Sequence, residues 1–483
     1  MPAFARPAMP PRQALWLALI LALFLALPFA FAALPQQSDF PAHLARYRVM
    51  LEGGSDPALA RWYQFHWQLG GNLGVDLLMR LLGPVLGLEP AARLVGAAIP
   101  VLTGLGLIAV ERALRGRVGF GSVLAMAMVW SPAMALGFAN FCLSLALALF
   151  AFAGWIKLEG RRERAAVFLP AACAVWLCHM AGWGVLVVLV GGYELRRKGL
   201  LRGALACWPL LLPLVPVLAV GGAGGVSYGE GLIGYKLGIW LKAMRVHDAG
   251  LDMLLPLVLL AVVYLAERSG RVDRRLGWGA LGLVLASLLL PRHLSGADYA
   301  DYRLTAVALM VLTLAIDWPA PRAIMLAAAA ATLVRVVPIA LAWHGQAQQL
   351  ETMLSVLDQV PQGARVAGAV DAPEAPWALN PFEHVPCYAT VRRSALVNAH
   401  FVGNSFNLME LRGAPAGFAD PSQRIIVPPG TRPDLAHFAP ARDADYLWYI
   451  GDTEPQALPA GARLVARVPG SMLLKLASPP PAN

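Results

Sequence analysis

What most limits this chain is its alternation of long apolar runs with short clusters of arginine and lysine. Leu15–Leu34, Ala91–Val110 and 139–156 are nearly free of charge, and each has about the twenty residues a helix needs to cross a bilayer. In hydrocarbon every backbone N–H and C=O must be satisfied, which leaves helix as the conformation for such runs. Composition agrees, with 58% of the 483 residues hydrophobic and 14% charged, where soluble domains carry about 25%. The formal charge of +10 sits in the clusters between the runs. That distribution belongs to a positive-inside membrane protein and not to a nucleic-acid-binding surface. Of the five cysteines, Cys142, Cys173, Cys178 and Cys207 fall in apolar segments and Cys387 in the polar tail. Without a CxxC or Cys/His spacing they support neither a disulfide framework nor a metal site.

The basic clusters order the spans. Leu15–Leu34 leaves the cytoplasm after Arg6 and Arg12. Ala30-Phe31-Ala32 offers a cleavage-like site, yet the run exceeds the roughly 7–15 apolar residues of a signal peptide and reads as an uncleaved anchor. Residues 35–88 interleave Asp39, His43, Arg46, Arg48, Asp56, Arg61, Asp76 and Arg80 with Trp62, Tyr63, Phe65 and Trp67, a mixture suited to helices lying along the membrane face. Asp76 and Arg80 are spaced for an i, i+4 pair. Ala91–Val110 returns to the basic stretch Glu111–Arg117. Next, 119–136 and 139–156 form an outward hairpin closed by Lys157, Arg161, Arg162 and Arg164. Ala165–Tyr193 is basic at both ends and so predicts two short helices turning at Cys178-His179-Met180.

Residues 203–220 exit to a loop with Gly221, Gly222, Gly224 and Gly225, followed by Tyr228, Glu230 and the amphipathic stretch 232–246. Then 251–266 returns to Glu267–Arg275, Leu276–Leu290 exits to Pro291-Arg292-His293, 304–317 returns, and 323–343 delivers the tail outside. The expectation is a polytopic α-helical membrane protein with about 11 transmembrane helices, N-terminus in and C-terminus out, in a bacterial cytoplasmic membrane. Residues 1–343 form the membrane domain. Residues 344–483 read as a small soluble α/β domain on the outer, periplasmic face. Its expected elements are a helix over Gln346–Gln359, strands at Arg365–Val370, Arg424–Val427 and Tyr446–Ile450, and a hairpin of Arg463–Val468 with Met472–Leu476 around Pro469-Gly470. No internal repeat is visible.

Under this topology the polar groups at the outer ends carry the chemistry. Asp39 and His43 flank the start of a helix, Asn140 tops the second hairpin, His179 the third, and Glu230 lies in the glycine-rich loop. The densest cluster is Arg292-His293-Leu294-Ser295-Gly296-Ala297-Asp298-Tyr299-Ala300-Asp301-Tyr302-Arg303. It offers cations for a phosphate, tyrosines for the interface and carboxylates for proton transfer. Each residue also has a plainer role. Asp39 and Asn140 are positioned to cap helices, and Arg292 and Arg303 to snorkel. Tyr299 and Tyr302 suit an aromatic belt, Asp298 and Asp301 would balance the arginines, and His179 fits a structural hydrogen bond. Arg335, deep in the last span, requires a partner or a polar cavity.

The layout resembles the C-type membrane glycosyltransferases, which include the bacterial aminoarabinose transferases, the protein O-mannosyltransferases and the oligosaccharyltransferase catalytic subunits. The resemblance rests on an acidic residue in the first outer loop, here Asp39 in Gln36-Gln37-Ser38-Asp39-Phe40-Pro41-Ala42-His43. Surface helices, further spans and an outer C-terminal domain follow it. Gly137-Phe138-Ala139-Asn140-Phe141, Cys178-His179 and Asp301-Tyr302-Arg303 are further landmarks. Two features depart from the family. Phe40 stands where the mannosyltransferases have the second acid of an Asp-Glu pair, and no Trp-Trp-Asp signature is present. The resemblance implies a polyprenyl-phosphate-linked sugar as donor, a lipid or glycan hydroxyl as acceptor, and transfer at the outer face. It assigns Asp39 as base with His43 orienting it or binding the acceptor. Arg292, His293, Arg303 and His179 would hold the lipid phosphate, with Asn140, Glu230, Asp298 and Asp301 in support. No cofactor is implied and no metal site is supported. Two other classes compete. A lipid-linked saccharide transporter or flippase requires ionisable groups at mid-membrane and related halves. A non-catalytic scaffold for envelope assembly would account for the soluble tail.

Overall fold

The structure is a computed structural model that describes residues 7–220, 225–294, 297–374, 377–402, 407–419 and 421–477, with the backbone alone at 219 and 220. Arg6, Gly221, Gly222, Gly224, Ser295 and Gly296 lie outside the described residues. The chain is mostly helical, with a sheet near its C-terminus, and divides into two compact units. One comprises Met1–Phe31, Leu69–Val75 and Val95–Leu341; the other comprises Ala32–Gln68, Asp76–Leu94 and Ala342–Asn483.

The first unit is built of apolar helices. Among the described residues, four helices are long and apolar enough to cross a membrane: Leu88–Arg115, Ala139–Lys157, Ala249–Arg268 and Arg322–Gln359. Only 22% of the apolar stretch of Ala249–Arg268 is buried within the chain, an arrangement for a helix whose solvent is lipid. The expected hairpin at His179 is present as Arg164–Cys178 and Met180–Lys198.

Three expected spans are broken, and proline accounts for the breaks. A proline ring collides with the carbonyl four residues earlier. Pro11–Phe24 ends four residues before Pro28, and the chain resumes as Leu27–Phe31. Within 119–136, Phe120–Ala125 and the 3-10 turn Met126–Met128 end four residues before Pro132, which opens Pro132–Leu136. The stretch 203–220 is divided among Leu200–Ala206, Trp208–Leu210 and Leu214–Val220, around Pro209 and Pro213. Helix packing in this unit uses small residues. A Cβ on Gly192 would meet the Gly279 backbone at 2.3 Å, so Met180–Lys198 and Arg274–Leu289 approach closely there.

Buried charges in this unit are paired. Arg335 forms an ion pair with Asp252, both nearly inaccessible, and donates to the carbonyls of Trp130 and Met244 at 2.8 Å each. Asp252 also accepts the backbone N–H groups of Val246 at 2.7 Å and His247 at 3.0 Å. Arg335 therefore has the partner its position demanded. Glu194, fully buried, is held by Arg164 at 2.7 Å and Lys198 at 2.9 Å.

The second unit joins residues far apart in the chain. Its sheet runs in the order Leu396–Val397, Arg365–Pro373, Tyr446–Ile450, Ser471–Lys475, Arg463–Val468, and Arg424–Val427 pairs with the end of Arg365–Pro373. Arg365–Pro373 is parallel to its three partners, while the last two strands are an antiparallel hairpin turning at Gly470, whose φ of 72° suits glycine. The expected strands are thus present. The last expected span and the helix at Gln346–Gln359, by contrast, are one continuous helix, Arg322–Leu354, ending in a 3-10 turn over Ser355–Gln359.

Loop residues 40–65 belong to the core of this sheet domain. Val49, Leu59, Trp62 and Tyr63 pack with Ala367, Leu396, Leu447 and Leu474. Tyr63–Phe65 pairs antiparallel with Met409–Leu411. Trp62 donates its indole N–H to Gly363 at 2.8 Å, and Arg48 donates to the Thr390 carbonyl at 3.0 Å and to Ser394 Oγ at 3.1 Å. Asp76 is held by Arg46 at 3.0 Å, from the helix Phe40–Glu52, and Arg80 is exposed. Leu77, Leu81 and Val85 form an exposed apolar stripe at four-residue spacing along one helix face.

Candidate functional site

Asp39 occupies the N-cap position of Phe40–Glu52, with Pro41 in the first turn, but its side chain makes no capping hydrogen bond. The capping role does not consume the carboxylate. Instead Asp39 Oδ1 faces Nε2 of His384 at 3.8 Å, with the Asp39 side chain 17% exposed. Ser38 beside it donates to the Asn380 carbonyl at 2.6 Å, tying the loop to the same C-terminal segment. The His43 ring stacks on Tyr47, with 6.3 Å between centroids, and lies 6.1 Å from the Phe401 ring, which packs 4.7 Å from His384 on its other side. His384 is a residue that sequence reasoning missed. It stands in Pro381-Phe382-Glu383-His384-Val385 with no motif around it, and its relation to Asp39 is created by the fold alone.

Two histidines in this unit are buried without charge. Burial pushes His384 below its usual value, and burial together with His384 pushes His400 down to about 3. The unfolded chain takes up these protons near pH 6.5, whereas the folded unit does not. Stability is therefore complete above that pH and is lost as pH falls, at about 1.4 kcal/mol per pH unit for His400 until its folded value of about 3 is reached, with His384 acting in the same direction. Acid titration of the near-ultraviolet signal of the wild type and of His400→Gln is expected to show a shallower loss in the variant.

The first unit gathers the other predicted residues. His179 sits in the break between two helices, where its Nδ1 accepts the Ala181 N–H at 3.0 Å. That bond leaves the ring hydrogen on Nε2, which lies 3.0 Å from the Arg303 guanidinium. Imidazole and guanidinium thus sit side by side, two groups able to donate to an anion. Arg303 lies in the first turn of Tyr302–Leu314, stacks over Phe138 with its carbon 4.3 Å from the ring centre, and donates to the Asp298 carbonyl at 3.2 Å. The Asp298 carboxylate takes a two-pronged bond from Arg292, at 3.0 and 3.3 Å, and lies 3.2 Å from His293 Nδ1. This pairing holds Arg292 above its ordinary value. Tyr299, next in the chain, has φ of 57°, a left-handed conformation rare outside glycine. Arg292, His293, Arg303 and His179 thus surround one strained turn.

The remaining candidates are placed elsewhere. Asn140 clamps the segment 72–75, accepting the Val75 N–H at 2.5 Å and donating to the Asn72 carbonyl at 2.8 Å. Asp301 is buried and serves Lys236 at 2.5 Å, Tyr235 at 3.0 Å and the Tyr302 N–H at 2.8 Å. It balances Lys236 and not Arg303. Glu230 is exposed between two glycines of positive φ. Among the described residues, no three His, Cys, Asp or Glu side chains form a group able to hold a metal ion.

Fold and site together define a helical membrane protein with a sheet-containing C-terminal domain, a positively charged turn in one unit and a carboxylate–imidazole pair in the other. Two solved structures share the fold. Both are of ArnT from Cupriavidus metallidurans. The form bound to undecaprenyl phosphate is 12% identical with a TM-score of 0.51, and the match covers 96% of this chain and 97% of that one. The apo form is 13% identical with a TM-score of 0.55, covering 96% and 98%. At such identity the likeness is one of fold. No family model and no curated protein matches the sequence.

Proposed function

We propose that this chain is a membrane glycosyltransferase that moves a sugar from a polyprenyl-phosphate donor to an acceptor hydroxyl of an envelope lipid or glycan, at the outer face of a bacterial cytoplasmic membrane. The observation that carries the reading is the cluster of Arg303 beside His179 and of Arg292, both arginines being bonded to Asp298. The whole-length fold likeness to a protein solved with undecaprenyl phosphate supports it. In this mechanism Asp39 takes the proton of the acceptor hydroxyl as its oxygen attacks the anomeric carbon. The bond from that carbon to the phosphate oxygen breaks with its electron pair, and Arg303, Arg292 and the His179 N–H stabilise the departing phosphate. The eleven-span topology and the periplasmic C-terminal domain belong to the same proposal.

Transport would draw on the buried Arg335–Asp252 pair. That pair, however, is anchored by two carbonyls and two backbone N–H groups, which suits a fixed lock more than a moving charge.

Assay of the purified protein against a panel of polyprenyl-phosphate sugars tests the reaction, and release of polyprenyl phosphate with transfer of the sugar is expected. Binding of polyprenyl phosphate tests the site. Charge-assisted hydrogen bonds contribute about 1.5–3 kcal/mol, so Arg303→Ala is expected to weaken binding by about 10–100-fold. Unchanged binding in both Arg303→Ala and Arg292→Ala would remove the phosphate assignment.

A further inference from the structure

Among the buried ionisable groups that the proposed reaction leaves unused, His384 faces the proposed base. His384 Nδ1 lies 2.8 Å from the Ala399 carbonyl, which has no hydrogen to give, so Nδ1 carries the ring proton and Nε2 keeps a lone pair. Nε2 is the atom 3.8 Å from Asp39 Oδ1. With the ring neutral and the carboxylate ionised, two acceptors face each other beyond hydrogen-bond reach. One proton added to Asp39 turns the same pair into donor and acceptor.

We infer that His384, supplied by the C-terminal domain, is the positioning residue of Asp39 and accepts a hydrogen bond from the carboxylic acid formed when Asp39 takes the acceptor's proton. This rests on the reading of Asp39 as base. The proton balance is complete. The acceptor O–H bond breaks, its proton forms a new O–H bond on Asp39, the acceptor oxygen bonds the anomeric carbon, and the phosphate leaves with the electron pair. The proton on Asp39 is held against His384 Nε2 until it is released to water at the exposed edge of the carboxyl group. A hydrogen bond made only to the protonated form raises the proton affinity of the base, which suits a base working near neutral pH.

The surroundings keep His384 fit for this part. Burial lowers its own proton affinity, opposed by Glu383 and the Ala399 carbonyl and reinforced by Arg424. His400 and Cys387, also packed in this region, are themselves held neutral by burial, and His43 lies across the Phe401 ring. The Ala399 carbonyl holds the ring at Nδ1, and the Phe401 ring packs 4.7 Å away.

The test is the pH–rate profile of wild type, His384→Leu, His384→Gln and Asp39→Asn, each as folded, monodisperse full-length protein with a polyprenyl-phosphate sugar. His384→Leu is expected to lower kcat about 10-fold and to move the acid limb of kcat/KM down by roughly one pH unit, with KM for the lipid unchanged. His384→Gln, whose amide can donate to Ala399 and accept from Asp39, should recover most of the rate, with its acid limb between the two. A residue of merely structural importance would not move that limb. If His384→Leu fails to fold, the Gln variant decides, and a Gln profile superimposable on wild type overturns the inference. If Asp39→Asn abolishes transfer while neither His384 variant changes the profile, Asp39 stands as base and the role of His384 falls. Full activity in Asp39→Asn overturns both.

Discussion

Asp39→Asn is expected to cost about 10²–10⁴-fold in kcat while the protein inserts, folds and binds polyprenyl phosphate as before. The substitution keeps size and shape while removing the charge and the ability to take a proton. Asp39 makes no capping hydrogen bond, so the Phe40–Glu52 helix does not depend on its charge. The loop around it is secured by other groups, among them the Ser38 hydroxyl on the Asn380 carbonyl and Arg48 on Thr390. Loss of rate should therefore exceed any loss of stability. Retained transfer in a folded Asn variant would mean that the base lies elsewhere, and an equal fall in thermal stability would mean that the carboxylate is structural.

The second large effect concerns the pair inside the apolar unit. Removing one member of a buried ion pair leaves the other charge without compensation and costs about 3–5 kcal/mol. Asp252→Leu is expected at the upper end, because it also strands the Val246 and His247 N–H groups that the carboxylate accepts. Asp252→Asn keeps an oxygen for those groups and should cost less. The double variant Asp252→Asn/Arg335→Met is expected to recover part of the loss by removing the stranded cation. Apparent melting temperatures in detergent, with recovery of monodisperse protein, provide the measure. A double variant no better than Asp252→Leu would show that the pair is not the source of the stability.

The parts of this fold legible in the sequence are those where charge marks a helix end. Arg164 and the Arg196–Lys198 cluster bracket a stretch too long for one span, and that parity located the turn at His179. The breaks inside 119–136 and 203–220 were not read from the sequence, because uniformly apolar helices have no periodicity to lose and proline inside a span is often tolerated. Pro100 and Pro256 do lie within continuous helices here. The site was legible by halves. Asp39, His179, Arg292 and Arg303 stood out as polar groups at the ends of apolar runs. Their partners did not, because Lys236 for Asp301, Asp252 for Arg335 and His384 for Asp39 are brought in by tertiary packing. No local spacing rule reaches across such separations.

The stitching of residues 40–65 into the sheet of the C-terminal domain carries a consequence for biogenesis. The ribosome makes this loop roughly 300 residues before its partner strands, a wait on the order of 15–60 s at about 5–20 residues per second. Throughout that interval Val49, Leu59, Trp62 and Tyr63 have no sheet to pack against. A nascent chain stalled or cut after Leu341 would hold the apolar helices described above and still lack the setting of Asp39. Completion of synthesis is thus the event that gives Asp39 its neighbour His384.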